Sequence, residues 1–333
     1  MKRIFNPIIC TFFCASMLLA CKQELCQWNS VGNSSSVRFL VDWSQSNIET
    51  SKINNLSAYG YPEDGGAPYL RVSGDIESSY INLPSGEYSL LLFNDIVGDI
   101  VGMSFNDVDL YDEFSAQIIE RELPGDLYYT IGEGEILAST LGQLSAWRMD
   151  SFEVLPDMVI CSYCGEDHDV EDVVLTVEPT PITTQCIITV RIENLDNAQI
   201  IQGILKGFAR GAYLATGERV STSLDTTTLY SVLFSSRTYD SDDSSDGVVE
   251  AEIITFGKDP KEDQIYELEL DIILNSGEYA KFTRDITEQV IEQDNVKIII
   301  NLDTLDNLIS LPESDGTGFG VNSWGDRESI ELM

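Results

Sequence analysis

The stretch Tyr266-Glu267-Leu268-Glu269-Leu270-Asp271-Ile272-Ile273-Leu274-Asn275-Ser276-Gly277-Glu278-Tyr279-Ala280-Lys281-Phe282-Thr283-Arg284 decides the fold class. From Tyr266 to Ile272 apolar and acidic residues alternate, the period of two that puts one set of side chains inward and the other outward on a strand. Tyr266, Leu268, Leu270 and Ile272 are expected inside, and Glu267, Glu269 and Asp271 outside. Asn275-Ser276-Gly277 supplies turn residues, and Glu278 to Arg284 returns, so the stretch reads as a β-hairpin.

The same grammar recurs in both directions. Val296-Lys297-Ile298-Ile299-Ile300 reads as another strand, and Cys186, Ile188, Val190 and Ile192 alternate with Ile187, Thr189 and Arg191. Val173, Leu175 and Val177 alternate up to Pro179-Thr180-Pro181, a Pro-rich link. Earlier, Val37, Phe39, Val41 and Trp43 form a one-sided pattern. Pro84-Ser85-Gly86 turns into Tyr88-Ser89-Leu90-Leu91-Leu92-Phe93, a run apolar enough for the centre of a sheet. Residues 107–122 stay ambiguous, with Leu110, Phe114, Ile118 and Ile119 at near-helical spacing but no cap. Short strands, frequent turns and no long helical pattern predict an all-β chain of antiparallel sandwiches. The acidic segment 165–172 is read as the divide between a first sandwich over 37–172 and a second over 173–333.

The chain begins with Lys2 and Arg3, an apolar run from Ile4 to Leu19, and Cys21 after Leu18-Leu19-Ala20. This is the pattern of a lipoprotein signal over residues 1–20, with Cys21 carrying diacylglycerol. The run is too short for a membrane-spanning helix, and Lys22-Gln23-Glu24 ends it. Residues 21–36, closing on Asn33-Ser34-Ser35-Ser36, read as a polar tether. The expected location is the outer membrane, lipid-anchored and displayed outward, and no other cofactor is expected.

A formal charge of −37, from 56 acidic and 19 basic residues, excludes nucleic acid as a partner, because phosphate backbones need clustered Lys and Arg. With 43% hydrophobic residues the chain has the apolar surface needed for cores, which excludes disorder. Four cysteines remain after the signal and Cys21: Cys26, Cys161, Cys164 and Cys186. Their pairing is open. Cys161, Cys164, His168 and Cys186 are the one grouping with metal-ligand chemistry, but Cys186 lacks a close-spaced partner, so a disulfide or buried thiols is preferred over zinc. The acidic run Asp240 to Gly247 has Ser245 and Ala251 where a calcium loop needs Gly and Glu, so a solvated hairpin loop is expected. His168 is the sole histidine, and no nucleophile-elbow pattern or phosphate-binding loop occurs. The chain is therefore read as a non-enzyme.

Leu205-Lys206-Gly207-Phe208-Ala209, Thr255-Phe256-Gly257, Asp285-Ile286-Thr287 and Gly318-Phe319-Gly320-Val321-Asn322-Ser323-Trp324-Gly325-Asp326 occur together in this order. With them the chain resembles the fimbrillin-type lipoproteins of Bacteroides-group bacteria, and is most similar to the minor or anchor subunits of type V pili. The resemblance implies two tandem transthyretin-like Greek-key β-sandwich domains, outer-membrane attachment, and a role in pilus assembly or cell adhesion with other fimbrial subunits as partners. It also implies assembly by strand donation, for which Trp324, Ile330 and Leu332 in the tail are candidate partner contacts. Polymerising subunits of that family are cut after a basic residue past the first strand. Here Arg38 lies inside the first strand pattern, which favours an uncut anchor, with Lys52 and Arg71 as the other basic positions. A glycan-binding surface lipoprotein, using Trp147 or Trp324, is the alternative, and a glycoside hydrolase the second.

Overall fold

The computed structural model describes residues 33–121, 132, 134–161, 173–221, 226–234, 236–241, 244–304 and 308–312. In chain order the strands are β1 (Asn33–Val41), β2 (Leu56–Pro62), β3 (Tyr69–Ser73), β4 (Ser78–Leu83), β5 (Gly86–Asn94), β6 (Met103–Asn106), β7 (Ser115–Ile118), β8 (Glu135–Ala138), β9 (Ser145–Val154), β10 (Ile160–Cys161), β11 (Val173–Val177) and β12 (Thr180–Pro181). They continue with β13 (Thr184–Glu193), β14 (Ala198–Lys206), β15 (Gly211–Tyr213), β16 (Arg219–Val220), β17 (Thr227–Leu233), β18 (Ser236–Tyr239), β19 (Gly247–Thr255), β20 (Glu267–Leu274) and β21 (Tyr279–Asp285). The short helix α1 (Thr287–Ile291) precedes β22 (Lys297–Leu302) and β23 (Ile309–Ser310). The all-β expectation holds.

In the first sandwich β1 is flanked by β4, antiparallel, and β11, parallel. This small sheet faces a second one in the order β12-β9-β5-β2-β3. Between them Val37, Phe39, Ile81, Leu83 and Val177 pack on Leu56, Ala58, Leu90, Leu92 and Val154. The second sandwich pairs the sheet β18-β19-β13-β22, with β23 also on β13, against the sheet β21-β20-β14-β17-β8. Its core takes Cys186, Ile188 and Val190 from one side and Leu268, Leu270 and Ile272 from the other.

Several expectations change. Asn33 to Ser36 are strand, not tether: Ser35 and Ser36 pair with Leu83 and Asn82, and Ser35 is buried. A small hydroxyl side chain fits a strand that its neighbours' registers already position. Trp43 lies beyond β1 in a 3-10 turn over Trp43–Gln45, buried, its indole N–H donating to the Ile76 carbonyl at 2.8 Å. The divide at 172/173 moves as well. β11 belongs to the first sandwich by its pairing with β1, and β12 pairs with β9, so the second sandwich starts at β13. Acidic composition marks a loop locally, but a strand's partner is chosen by whichever edge it meets. Nor are the sheets purely antiparallel: β1–β11, β13–β22, β13–β23 and β8–β17 are parallel.

The two halves also share one core. β5 is buried on both faces: Leu90 and Leu92 face the first sandwich, while Leu91 and Phe93 join Tyr59, Phe114 and the apolar residues of the second half. A bridging sheet, β16-β15-β7-β6, takes two strands from each side, and β8 from the first half completes a second-half sheet beside β17. The ambiguous stretch at 107–122 is thus partly strand β7, with Phe114 fully buried just before it. The absence of alternation in Tyr88 to Phe93 has its cause here, since a strand with two buried faces needs none.

The outward face of β20 is not solvated. Glu269 and Asp271 are each only 3% exposed. Cross-strand register puts Asp271 opposite Lys281. Lys206 Nζ lies 2.9 Å from Glu269 Oε2, Lys281 Nζ pairs with Glu269 Oε1, and Tyr279 donates its hydroxyl proton to Asp271 Oδ1. Alternation predicted the face correctly, but the long stems of the lysines and the Tyr279 ring cover the carboxylates.

Three of the motifs behind the resemblance, at 205–209, 255–257 and 285–287, are packing devices that meet in one corner, and the fourth, at 318–326, lies outside the described residues. Ala209 N–H donates to the Gly257 carbonyl at 2.9 Å, Phe208 bridges Lys258, and Phe208 and Phe256 are fully buried. Tyr266 packs edge-on to Phe208 at 5.3 Å, and its N–H donates to Thr287 Oγ1 at 3.0 Å. Gly207 and Gly257 have φ of +91° and +81°, and a Cβ would lie 2.3 Å from the Ile265 carbonyl oxygen and 2.4 Å from Thr184 Oγ1. Only glycine fits either position.

Candidate functional site

Most residues singled out by sequence, namely Cys21, Cys26, Cys164, His168, Trp324, Ile330 and Leu332, lie outside the described residues. Cys161 is placed by its backbone, where β10 pairs with Asn33 and Ser34 of β1. Cys186 points into the second core, fully buried and free, its Sγ 3.6 Å from Thr255 Oγ1. Burial pushes its thiol up to about 12, with the Thr255 hydroxyl acting in the opposite direction. Among the described residues no group of His, Cys, Asp and Glu is arranged to hold a metal ion.

The acidic run 240–247 falls where β18 pairs with β19, and Asp240 and Asp246 are among its described residues. Within it Asp246 Oδ1 accepts from the Asn194 N–H at 3.0 Å, and Asp240 pairs with Arg191. Both carboxylates are used as staples. Trp147 is half-buried, packed against the first core and edge-on to Phe39 at 6.2 Å. Arg38 sits in the middle of β1 between two strand neighbours, its Nε donating to Ser78 Oγ at 3.2 Å. Arg71 is on the edge strand β3, stacked 4.7 Å over the Tyr80 ring, and Lys52 is in an exposed 3-10 turn.

What sequence reading missed is a polar cleft of about 710 Å3 where the two halves meet. Its walls are the turn after β2 (Pro62 to Gly66), residues 109–112, the middle of β9, and the turn between β15 and β16 (215–218). β5 and β9 slip register between Tyr88 and Leu90, so Ser89 sits at a bulge facing this space. Ser89 Oγ lies 2.7 Å from Glu63 Oε1 and 2.9 Å from the Asp150 carbonyl oxygen, and its one proton serves one of them at a time. Tyr111 donates to Asp150 Oδ1 at 2.8 Å, and Tyr61 donates to the Val108 carbonyl at 2.9 Å with its ring 5.5 Å from that of Tyr111. Burial raises both phenols, and for Tyr111 the bond to Asp150 adds to the shift. Both therefore stay protonated and donate.

Glu63, Asp109, Asp112, Asp150 and Glu218 bring carboxylates to the rim, and among the described residues Arg148 is the one cation lining it. With fixed donors, many acceptors and two rings, the cleft can hold a polar ligand by hydrogen bonding. Among the described residues the group beside the Ser89 hydroxyl is the Glu63 carboxylate. The only sequence signal was indirect: Tyr59-Gly60-Tyr61-Pro62-Glu63-Asp64-Gly65-Gly66 predicts a turn, but not what faces it.

No curated protein matches this sequence. Among solved structures, a putative adhesin from Bacteroides ovatus is 15% identical, with a TM-score of 0.59 over 84% of this chain and 93% of its own. A second putative adhesin from Bacteroides ovatus is 11% identical, with a TM-score of 0.48 over 90% of this chain and 94% of its own. The fimbrial anchor protein Mfa2 from Porphyromonas gingivalis is 12% identical, with a TM-score of 0.45 over 80% of this chain and 90% of its own. At such identities the first likeness establishes the fold. Residues 20–230 match a family model described as a domain of unknown function, and over that stretch, which includes the cleft's walls from both halves, the chain is a member of the family DUF5119.

Proposed function

We propose that this protein is a surface lipoprotein of the fimbrial accessory class, an anchor or adhesion subunit that acts by binding and not by catalysis. The observation that carries the reading is the architecture: two fused β-sandwiches, with the fold of a putative adhesin matched over 84% of the chain. The N-terminal pattern ending at Cys21 supports attachment by lipid to the outer membrane, and β1 begins at Asn33, only a short polar stretch later. Arg38 lies mid-strand with its backbone paired to β4 on one side and β11 on the other, which supports a chain that keeps its first strand, as an anchor would. Other fimbrial subunits are the proposed partners.

Crosslinking on intact cells, followed by identification of the attached proteins, tests the assignment. Capture of pilus subunits by the wild type, and their loss together with membrane retention in Cys21→Ser, is the expected result. Retention of Cys21→Ser in the membrane fraction would refute the lipid anchor. The cleft favours a second reading, glycan binding, because tyrosines with fixed hydroxyls beside carboxylates suit sugar hydroxyls. Binding on a glycan array that is lost in Tyr111→Ala, with no pilus subunit captured, would replace the first reading with this one.

A further inference from the structure

Among the described strands β22 is an outermost one, and its sequence is the kind that pairs with other strands. Val296 to Leu302 is nearly continuous in β-branched and apolar residues, with one charge, and Ile299 is 47% exposed. Such an edge recruits further strands unless something blocks it. With β13 on one side only, alternate residues of β22 turn both their N–H and C=O groups away from the sheet. The outward groups are those of Lys297, Ile299 and Asn301.

All three outward N–H groups are taken by side chains. Gln289 Oε1 accepts from Asn301 N at 2.7 Å, and its Nε2 donates back to Asn301 O at 3.2 Å. Gln293 Oε1 accepts from Ile299 N at 2.7 Å, and its Nε2 donates back to Ile299 O at 2.7 Å. Asp294 Oδ1 accepts from Lys297 N at 3.2 Å. Each glutamine amide thus makes the reciprocal pair of bonds that a neighbouring strand's peptide would make. The match has a geometric cause. Gln289 lies in α1 and Gln293 two residues past its end, after Glu292 in a helical cap conformation; a spacing of about one helical turn, roughly 6 Å, against about 6.6 Å between alternate strand residues, lets the two amides meet every second residue of β22. Lys258 holds the turn in place, its ammonium donating to the carbonyls of Ile291 and Gln293.

We propose that Gln289 and Gln293 are an edge guard, occupying the place of a further strand, and that without it β22 pairs with β22 of a second copy of this chain. The occupant follows from the edge itself. In an antiparallel self-pair centred on Ile299, Ile299 faces Ile299 and Lys297 faces Asn301, so no like charges oppose each other across the new ladder. This inference is independent of the fimbrial reading.

The test is Gln289→Ala/Gln293→Ala in the chain as it exists, followed by sedimentation over a wide concentration range and by hydrogen exchange. At dilutions where the variant is monomeric, exchange at the Ile299 and Asn301 amides should quicken roughly tenfold or more, and at higher concentration a dimer should appear in which those amides slow again. Adding Ile299→Lys to the same variant should return it to monomer by setting charge against charge. A variant that stays monomeric while those two amides exchange quickly overturns the proposal, as does a dimer that Ile299→Lys leaves intact. Should the double variant fail to fold, Gln293→Ala alone carries the same test through the Ile299 amide.

Discussion

Phe114 joins the two halves, and its removal shows whether they unfold together. The side chain is fully buried, with ring centroids 5.6 Å from Tyr59, 5.8 Å from Phe93 and 5.9 Å from Phe105. Its carbonyl accepts from Leu214 N–H of the second half at 2.9 Å. Phe114→Ala loses the transfer energy of the ring and leaves a cavity, together about 3–5 kcal/mol, of which each aromatic pair accounts for about 0.5–1.5 kcal/mol. Phe114→Leu, which keeps much of the volume, should cost about 1.5 kcal/mol. With a urea m value of about 3 kcal/mol/M, a loss of about 4 kcal/mol lowers the midpoint by about 1.3 M. Trp43 and Trp147 report the first sandwich by fluorescence, and exchange at β14 and β20 amides reports the second. Both should shift by the same amount, because Phe93 and Phe114 belong to the same core as Leu268 and Ile272. If the tryptophan transition moves while β14 and β20 keep wild-type protection, the halves are separately stable and the shared-core account fails.

Asp271→Asn should raise stability at neutral pH. Burial holds the Asp271 carboxyl above its ordinary value, with Tyr279 opposing the shift and Glu269 adding to it, and Oδ2 has no hydrogen-bond partner among the described residues. A raised folded value means the penalty builds as pH rises from the unfolded value through the folded one and is complete above it. The stability gap over wild type, followed by denaturation at several pH values, should therefore close as pH falls back through that window. A gap that does not change with pH would sink the argument. Gly257→Ala should cost on the order of 3 kcal/mol, from a disfavoured φ and a Cβ forced on Thr184; a wild-type melting temperature would contradict this. Cys186 should resist iodoacetamide in the native protein and react only with denaturant, read by site-resolved mass spectrometry, because its thiol is buried and its ionisation is pushed up to about 12.

Much of the local structure was legible without coordinates. Period two in Tyr266 to Ile272, together with the turn at Asn275 to Gly277, predicts both strands of that hairpin, and the turn also sets its register. Leu274 N–H donates to Glu278 O, and counting outward from that pair brings Asp271 to Lys281. Their pairing could therefore have been read from sequence, whereas Lys206, which comes from β14, could not. The uniform apolar run of β5 marked a buried strand, but not that its second face closes the core of the other half.

By itself the sequence determined the strand class, the positions of its most regular strands, the turn residues, and the charge that argues against nucleic acid, because each of these is a property of neighbours along the chain. Its lipoprotein signal and tail lie outside the described residues and stand as sequence readings. Only the tertiary structure decided that β11 belongs with β1, that β8 crosses to β17, that carboxylates on an outward face are buried, and that Gln289 and Gln293 close the β22 edge. These depend on which strand edges and side chains meet across long separations. Periodicity states which way a residue faces, and only the assembled sheets determine what it faces.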